Sequence, residues 1–390
     1  MLKAYKYRIY PSISQKMELA KAFGSCRFVY NKALTYKKDT YEASKTSVSY
    51  NTLATTFLKA LKQEFPWLKE APSQGLQQSL MHLDSAYKNF FRKTASFPNF
   101  KSKYARQSIS YPQRVTVDFN KSTLSIPKLG KFLAIFHRKF DEKTSAIKTC
   151  TLSKNTTGKY FISILVDDHL PIPEKVPFTG KDIALDLGIK HFYTPSHGDK
   201  IDNPKFYDRA LPRLKRLQRI LSLKKKGSCN YRKLKLVIAR IHEKIVNQRD
   251  NFLHQLSSKV INDNQVIFLE DLGVSDMMQE TNTSLARNIG DVSWTKFVSF
   301  LKYKAEWRGK RIIQIGRYEP SSKKCSVCGK INEKLKLEDR EWQCPCGALH
   351  DRDVNAARNI LIFGRERAEF KSLKIVSKGS FCVKAGSPCL

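Results

Sequence analysis

The period of the apolar positions changes three times along the chain. The first ten residues, MLKAYKYRIY, alternate, with Tyr5 and Tyr7 on one face, and Pro11 stops the run; this predicts a strand over 1–10. From Ser14 the spacing becomes helical, with Met17, Ala20 and Phe23, then Val29, Tyr30, Ala33 and Leu34, around a break expected at Gly24. The segment SQGLQQSLMHLDSAYKNFF carries one stripe of Leu76, Leu80, Leu83, Tyr87 and Phe90, with Pro72 and Ser73 as its start signal. Residues 12–92 therefore predict a small helical unit. Past the boundary FPNFKSKYARQ the period is two again, in RVTVDF, TLSIP, KFLAIFHRK, AIKTCTLS and KYFISILVDD, separated by turns such as Asn120-Lys121-Ser122 and Thr157-Gly158. The lone first strand is expected to join these in a small β-barrel, which makes the helical part an insertion. The Pro-rich DDHLPIPEKVPFTG is a linker.

The third section opens as strand, turn, strand in KDIALDLGIKHFYTPSHGDKI, with His197-Gly198-Asp199 as a hairpin. A long helical stretch over 205–249 follows, then the apolar strand of NQVIFLEDLGV, the helix WTKFVSFLKYKAEWRGK and the strand RIIQIG. The last twenty residues lack acids and periodicity and are expected to be disordered.

Charge narrows the class. Lys and Arg number 71 against 35 Asp and Glu, a net +36, and such self-repulsion calls for a polyanionic partner. Nucleic acid fits best, because phosphate contacts release counterions. Residues 205–249 hold fifteen Lys/Arg against Asp208 and Glu243, more than solubility needs, which marks a phosphate-tracking surface. No run approaches the roughly eighteen apolar residues of a membrane span, and the N-terminus is no signal peptide. A cytoplasmic location is expected, with no membrane partner.

Four of the nine cysteines cluster: Cys325-x2-Cys328, then Cys344-x-Cys346, each pair followed by a glycine. Four soft thiolates on two facing turns suit tetrahedral zinc, so a structural, non-catalytic zinc ribbon is expected, with His350 as a possible stand-in ligand. The other five are scattered singly, as in a reducing compartment.

Several acids stand where burial is costly. Asp186 closes IALD, Glu270 closes VIFLE, and Asp351 and Asp353 precede the helix VNAARNIL. Each alone has an ordinary reading as a cap or a solvated strand end. Together, three carboxylates can hold two Mg2+ or Mn2+ ions about 4 Å apart for phosphodiester hydrolysis. An acid on a first strand, one on a later strand and one on a closing helix is the RNase H-like arrangement.

With those residues in view, the chain resembles TnpB, the RNA-guided nuclease of insertion sequences, also called OrfB and related to type V CRISPR effectors. The resemblance runs from residue 1 to about 365. It rests on YKYRIYPS with GSCRFVYN, LQQSLMHLDSAYKNFF with FPNFKSK, ALDLGIKHF, IFLEDLGV, FLKYKAEWRGKRIIQIGRYEPSSKKCSVCG and WQCPCGALHDRDVNAARNIL. It implies a multidomain α+β protein: a barrel-like wedge domain over 1–10 and 106–178, an inserted helical recognition domain over 11–105, a RuvC-like nuclease domain over 179–320 and 350–368, a zinc ribbon over 321–349, and a tail over 369–390. The catalytic acids map onto Asp186, Glu270 and Asp353 of the D-x-N-A-A motif, with Asp351 and Asp271 as second choices. The resemblance further implies a guide RNA from the 3′ end of its own element, a double-stranded target DNA and a monomer with one RNA. A motif-reading face is inferred near Tyr50, Ser73, Gln74 and Gln78. The implied activity is Mg2+-dependent cleavage beside a short flanking motif. The alternative is a cleavage-deficient RNA-guided repressor, which would be expected to lack one of the acids. A strand-transfer transposase is disfavoured, since no isolated Tyr stands near a His-hydrophobe-His motif.

Overall fold

The computed structural model describes residues 1–379 except 105, 143, 176–179, 282 and 337, and the chain divides into two compact units, Met1–Pro171 and Ile172–Leu390. In the first, β1 (Leu2–Tyr10) alternates as expected, burying Tyr7 and Ile9. Lys6 and Arg8 take the opposite face and lie over the Phe161 ring. A capping box follows: the Ser12 hydroxyl accepts from the Gln15 amide, and the Gln15 side chain accepts from the Ser12 amide. It starts α1 (Ile13–Ser44), which runs through Gly24 without a break. The apolar face of Leu19, Ala22, Phe23, Cys26, Val29, Tyr30, Ala33 and Leu34 is buried on both sides of Gly24, and this outweighs the roughly 1 kcal/mol a helix-interior glycine costs. Then come α2 (Tyr50–Thr52), a π-turn over Leu53–Phe57, α3 (Leu58–Glu64) and α4 (Ser73–Phe91), in which Leu76, Leu80 and Leu83 are fully buried.

The remaining strands of this unit are β2 (Gln107–Tyr111), β3 (Thr116–Asp118), β4 (Thr123–Ile126), β5 (Gly130–Ile135), β6 (Ala146–Lys154) and β7 (Tyr160–Asp167). With β1 they form one antiparallel sheet in the order β2-β6-β7-β1-β5-β4-β3. β1 lies inside it, pairing Leu2–Ile9 with Asp167–Tyr160 and Arg8–Tyr10 with Ile135–Leu133. β2 and β3 are the two ends and do not pair among the described residues, so the sheet is a half-barrel rather than a closed barrel. β2 was not among the strands predicted above, although Ile109 and Tyr111 alternate with Ser108 and Ser110 and are buried. Helix and sheet side chains share one core.

The second unit is built on β8 (Asp182–Leu187), β9 (His191–Pro195), β10 (Ile201–Asp202), β11 (Val266–Glu270) and β12 (Arg311–Ile315). The order is β10-β9-β8-β11-β12, with β8, β11 and β12 parallel and the β8-β9-β10 pairings antiparallel. The basic helical stretch forms two helices, α5 (Phe206–Ser222) and α6 (Cys229–Asp263). They part at a turn through Gly227, and the Ser228 hydroxyl caps α6 by accepting from the Tyr231 amide. After β11 come α7 (Val274–Glu280), α8 (Thr283–Val292) and α9 (Trp294–Trp307), and after β12 the short hairpin β13 (Glu341–Gln343) and β14 (Leu349–Asp351). β14 passes directly into α10 (Arg352–Gly379), so helical backbone extends through part of the stretch from 369 expected to be a tail, while 380–390 lie outside the described residues.

Strand parity gives this sheet two cores. Ile183, Leu185, Ile267 and Leu269 point to the face that also holds Leu253 and Val260 of α6 and Phe297 and Leu301 of α9. Ala184, Val266 and Phe268 point to the opposite face, with Ile315 and Ile360 of α10. The approach of α10 to β11 is set by Gly364, where a Cβ would lie 2.1 Å from Cδ1 of the Phe268 ring. Farther along, Arg365 grips the Asp182 carboxylate with two bonds of 2.7 and 2.9 Å. Among the described residues no helix is long and apolar enough to cross a membrane.

Candidate active site

Parity also places the acids. Asp186 follows Ala184 by two residues and Glu270 follows Phe268 by two, so both carboxylates leave the sheet on the α10 face. The parallel register of β8 with β11 ends at Leu185↔Leu269, and one step on sets Asp186 beside Glu270. Asp353, in the first turn of α10, is near enough to act on Asp186: burial first, then the charges of Asp353 and Glu270, raise the Asp186 carboxyl to about 7. The Glu270 carboxyl is likewise pushed up to about 7 by burial and by the nearby Glu319. Like charges crowded in a partly desolvated site are short of a cation, and an all-oxygen donor set suits Mg2+ or Mn2+.

The two aspartates of DRD do different work. Asp351 Oδ1 accepts from the backbone amides of Asp353 and Val354, 3.1 and 3.0 Å away, which caps α10. Its Oδ2 accepts from Lys200 at 2.6 Å. Burial alone would raise the Asp351 carboxyl, but Lys200 and the two amides hold it below its ordinary value. The Asp353 carboxylate lies 3.8 Å from Lys200 and 3.6 Å from Arg340. Asp271 is exposed and falls on the opposite strand parity from Glu270. Lys200, Arg340 and Glu319 were not picked out above; each lies far from the acids in sequence, and the topology alone brings them in.

The raised carboxyls set a pH dependence. Both groups have folded values near 7 against about 4 in an unfolded chain. The folded state thus holds extra protons between those values, and the contribution of these groups to stability is present below about pH 4 and lost as pH rises through 7. In zinc-containing buffer without Mg2+, Asp186→Asn is expected to gain melting temperature relative to the natural chain from pH 5.5 to pH 8. Parallel melts at the two pH values check this, and an unchanged difference contradicts it.

The cysteines gather on two turns ahead of α10. The four sulfur atoms lie within 4.8 Å of one another, with Cys325–Cys346 at 3.8 Å and Cys328–Cys344 at 3.5 Å. Zn–S bonds of about 2.3 Å imply tetrahedron edges of about 3.8 Å, so the donor set fits zinc and is far too open for disulfides. Gly329 and Gly347 close the turns at positive φ, 78° and 91°, and their amides donate to the carbonyls of Cys325 and Cys344. Burial opposes ionisation of Cys325, yet the amides of Cys328 and Val327 and the His350 ring bring its thiol down to about 6. His350 is buried, with Nε2 3.0 Å from Cys325 Sγ.

The residues inferred to read a flanking motif lie in the first unit. Gln74 and Gln78 share one face of α4, with Gln74 accepting from the Gln113 amide and Gln78 donating to Met81 Sδ. Ser73 is exposed at the start of the same helix. Tyr50 lines a cavity with Asp84, Tyr87 and Phe91.

Comparison with known proteins places the chain. Residues 161–281 match the OrfB_IS605 model, described as "Probable transposase", residues 1–46 a helix-turn-helix domain of the same family, and 294–360 a Cas12f1-like TNB domain. A Streptomyces pristinaespiralis protein named "Putative RNA-guided DNA endonuclease" is 40% identical over 93% of this chain and 89% of its own length. The chain belongs to the OrfB_IS605, or TnpB, family. InsQ of Escherichia coli K12, which bears the same description, is 34% identical over 93% of this chain and 92% of its own length. The fold of this TnpB-family chain is also that of solved structures. A Cas12f1–sgRNA–target DNA complex superposes with TM-score 0.51 at 13% identity, over 92% of this chain and 98% of that one. The mini-RNA-guided endonuclease CRISPR-Cas_phi3 gives TM-score 0.51 at 9% identity, over 93% and 92%. The multidomain α/β architecture is thus common to both.

Proposed function

We propose that the protein is an RNA-guided, Mg2+-dependent DNA endonuclease of a mobile element, cutting target DNA beside a short flanking motif with one RuvC-like site. What supports this reading is the position of Asp186 and Glu270 at adjoining ends of neighbouring parallel strands, with Asp353, in the first turn of α10, near enough for its charge to act on Asp186. Relatives named as RNA-guided DNA endonucleases over nearly the whole chain support the substrate class.

In this reading Asp186, Glu270 and Asp353 would hold the metal ions, which when bound would supply activation of water and charge for the leaving oxygen. Asp351 fixes the first turn of α10 by capping it, while Lys200 and Arg340 hold Asp353 in place. The five-stranded unit is an RNase H-like nuclease domain over 179–320 and 350–368, with the zinc ribbon, 321–349, inserted before its closing helix. The half-barrel serves as the wedge domain, expected over 1–10 and 106–178, and the helices inserted in it as the recognition domain, expected over 11–105. The cationic α5 and α6 fit the backbone of a guide–target duplex. Tyr50, Ser73, Gln74 and Gln78 remain candidates for motif contacts. One chain binds one guide RNA, from the 3′ end of its own element, and works in the cytoplasm on DNA of the nucleoid. The cleavage-deficient repressor is not favoured, because all three acids are present.

Sequencing RNA that co-purifies with protein expressed from its own locus tests the guide. One discrete species from the gene's 3′ flank is expected; random fragments contradict the proposal.

A further inference from the structure

Two asparagines of α10 are buried more deeply than helix-surface amides should be. Asn355 and Asn359 are 1% and 0% exposed, and a buried carboxamide is costly unless it is bonded. Every bond given for them goes to the backbone of the first cysteine turn. Asn355 Nδ2 donates to the carbonyls of Lys324 and Ser322 at 2.7 and 3.4 Å, and its Oδ1 accepts from the Ser326 amide at 3.0 Å. Asn359 Nδ2 donates to the carbonyls of Ser321 and Lys324 at 2.7 and 2.6 Å. Among the described residues its Oδ1 is buried without a partner.

The anchored atoms flank Cys325, one of the four gathered thiols. A helix advances about 100° per residue, so Asp353, Ala357 and Ile360 share the stripe that meets the sheet, where Ala357 and Ile360 are fully buried. Asn355 and Asn359 lie about 200–240° around from Asp353 and meet the ribbon instead. The first turns of α10 are therefore held between the two. The ribbon touches the same end of the helix twice more: Arg352 donates its amide to the Arg340 carbonyl and its guanidinium to the Lys336 carbonyl.

We propose that Asn355 and Asn359 are positioning residues that clamp the zinc turn to α10 and so hold Asp353 against Asp186 and Glu270. Through them the divalent-cation affinity of the nuclease site depends on the zinc ribbon. This rests on the nuclease reading above. The clamp touches neither DNA nor the reacting atoms; it acts on where a ligand carboxylate stands, and supporting partners of metal ligands are worth about 10–100-fold in metal affinity.

The test uses the full chain with its RNA, comparing the natural sequence with Asn355→Ala and Asn359→Ala. Zinc content is measured by elemental analysis, Mn2+ binding by electron paramagnetic resonance, and cleavage across a Mg2+ series. Each variant is expected to keep its zinc, to bind Mn2+ at least about tenfold more weakly, and to need correspondingly more Mg2+, with cleavage recovering at high Mg2+. A structural role alone would reduce the amount of zinc-loaded protein without moving the Mn2+ affinity or the Mg2+ midpoint; that result overturns the proposal. Should both variants fail to fold, the natural chain is stripped of zinc with a zinc-selective chelator. A Mn2+ affinity weakened at least about tenfold supports the clamp, and an unchanged one overturns it. Failure of the nuclease reading looks different, since the natural chain would then show no Mn2+ site that Asp186→Ala removes.

Discussion

Asp186→Ala is expected to lower cleavage of a guide-matched DNA by about 10³-fold or more, equivalent to about 4 kcal/mol of transition-state stabilisation. Asp186 stands at the centre of the site, one register step from Glu270 and within the field of Asp353. Its removal takes away a proposed ligand that no neighbour replaces, because Asp351 is committed to the helix cap and Asp271 is exposed on the other parity. Stability should not fall with activity. The carboxyl is raised by burial and by like charges, so deleting it relieves repulsion. RNA binding should persist, since the cations of α5 and α6 are untouched. A cleavage time course with RNA retention measured on the same preparation checks all three expectations. Asp351→Ala makes the contrast: it forfeits a cap, about 1 kcal/mol of helix stability, and leaves all three proposed ligands in place. Equal losses in the two variants would contradict the division of roles.

The second large effect is expected from the ribbon. Its core is Cys325, Leu335, Trp342 and Cys344, with Ala348 against them, too little apolar surface to fold without a metal. Cys325→Ser should therefore release zinc, expose the amides of 321–351 to hydrogen exchange and lower cleavage by about 100-fold, a loss in line with displacing one ligand by about 1 Å. The first unit has its own core and should keep its exchange protection. Protection retained across 321–351 in a zinc-free variant would contradict the structural role of the metal.

These effects follow from features that were unequally legible along the chain. The acids at strand ends stood out because apolar runs such as VIFL and IAL are costly to end in a carboxylate, and strand parity then carries Asp186 and Glu270 to one face. The choice between Asp351 and Asp353 is different. Both precede a helix in similar company, and only the bonds from Asp351 to two amides separate a cap from a facing carboxylate. The break expected at Gly24 failed because burial on both sides outweighs a local propensity. Closure of the barrel was not legible either, since alternation marks faces of strands and says nothing about whether the end strands β2 and β3 meet. The clamp left no trace in the pattern: Asn355 and Asn359 look like surface polar positions until the ribbon, more than twenty residues upstream, folds over them.

The central claim is RNA-directed cutting by this one site. Its most direct test is incubation of the purified protein–RNA complex with Mg2+ and two plasmids, each with the same varied flanking sequences, one matching the co-purified RNA and one scrambled. The account predicts cutting of the matched plasmid alone, next to a recurrent flanking motif, and none by Asp186→Ala. Equal cutting of both plasmids, or cutting that survives Asp186→Ala, would contradict it.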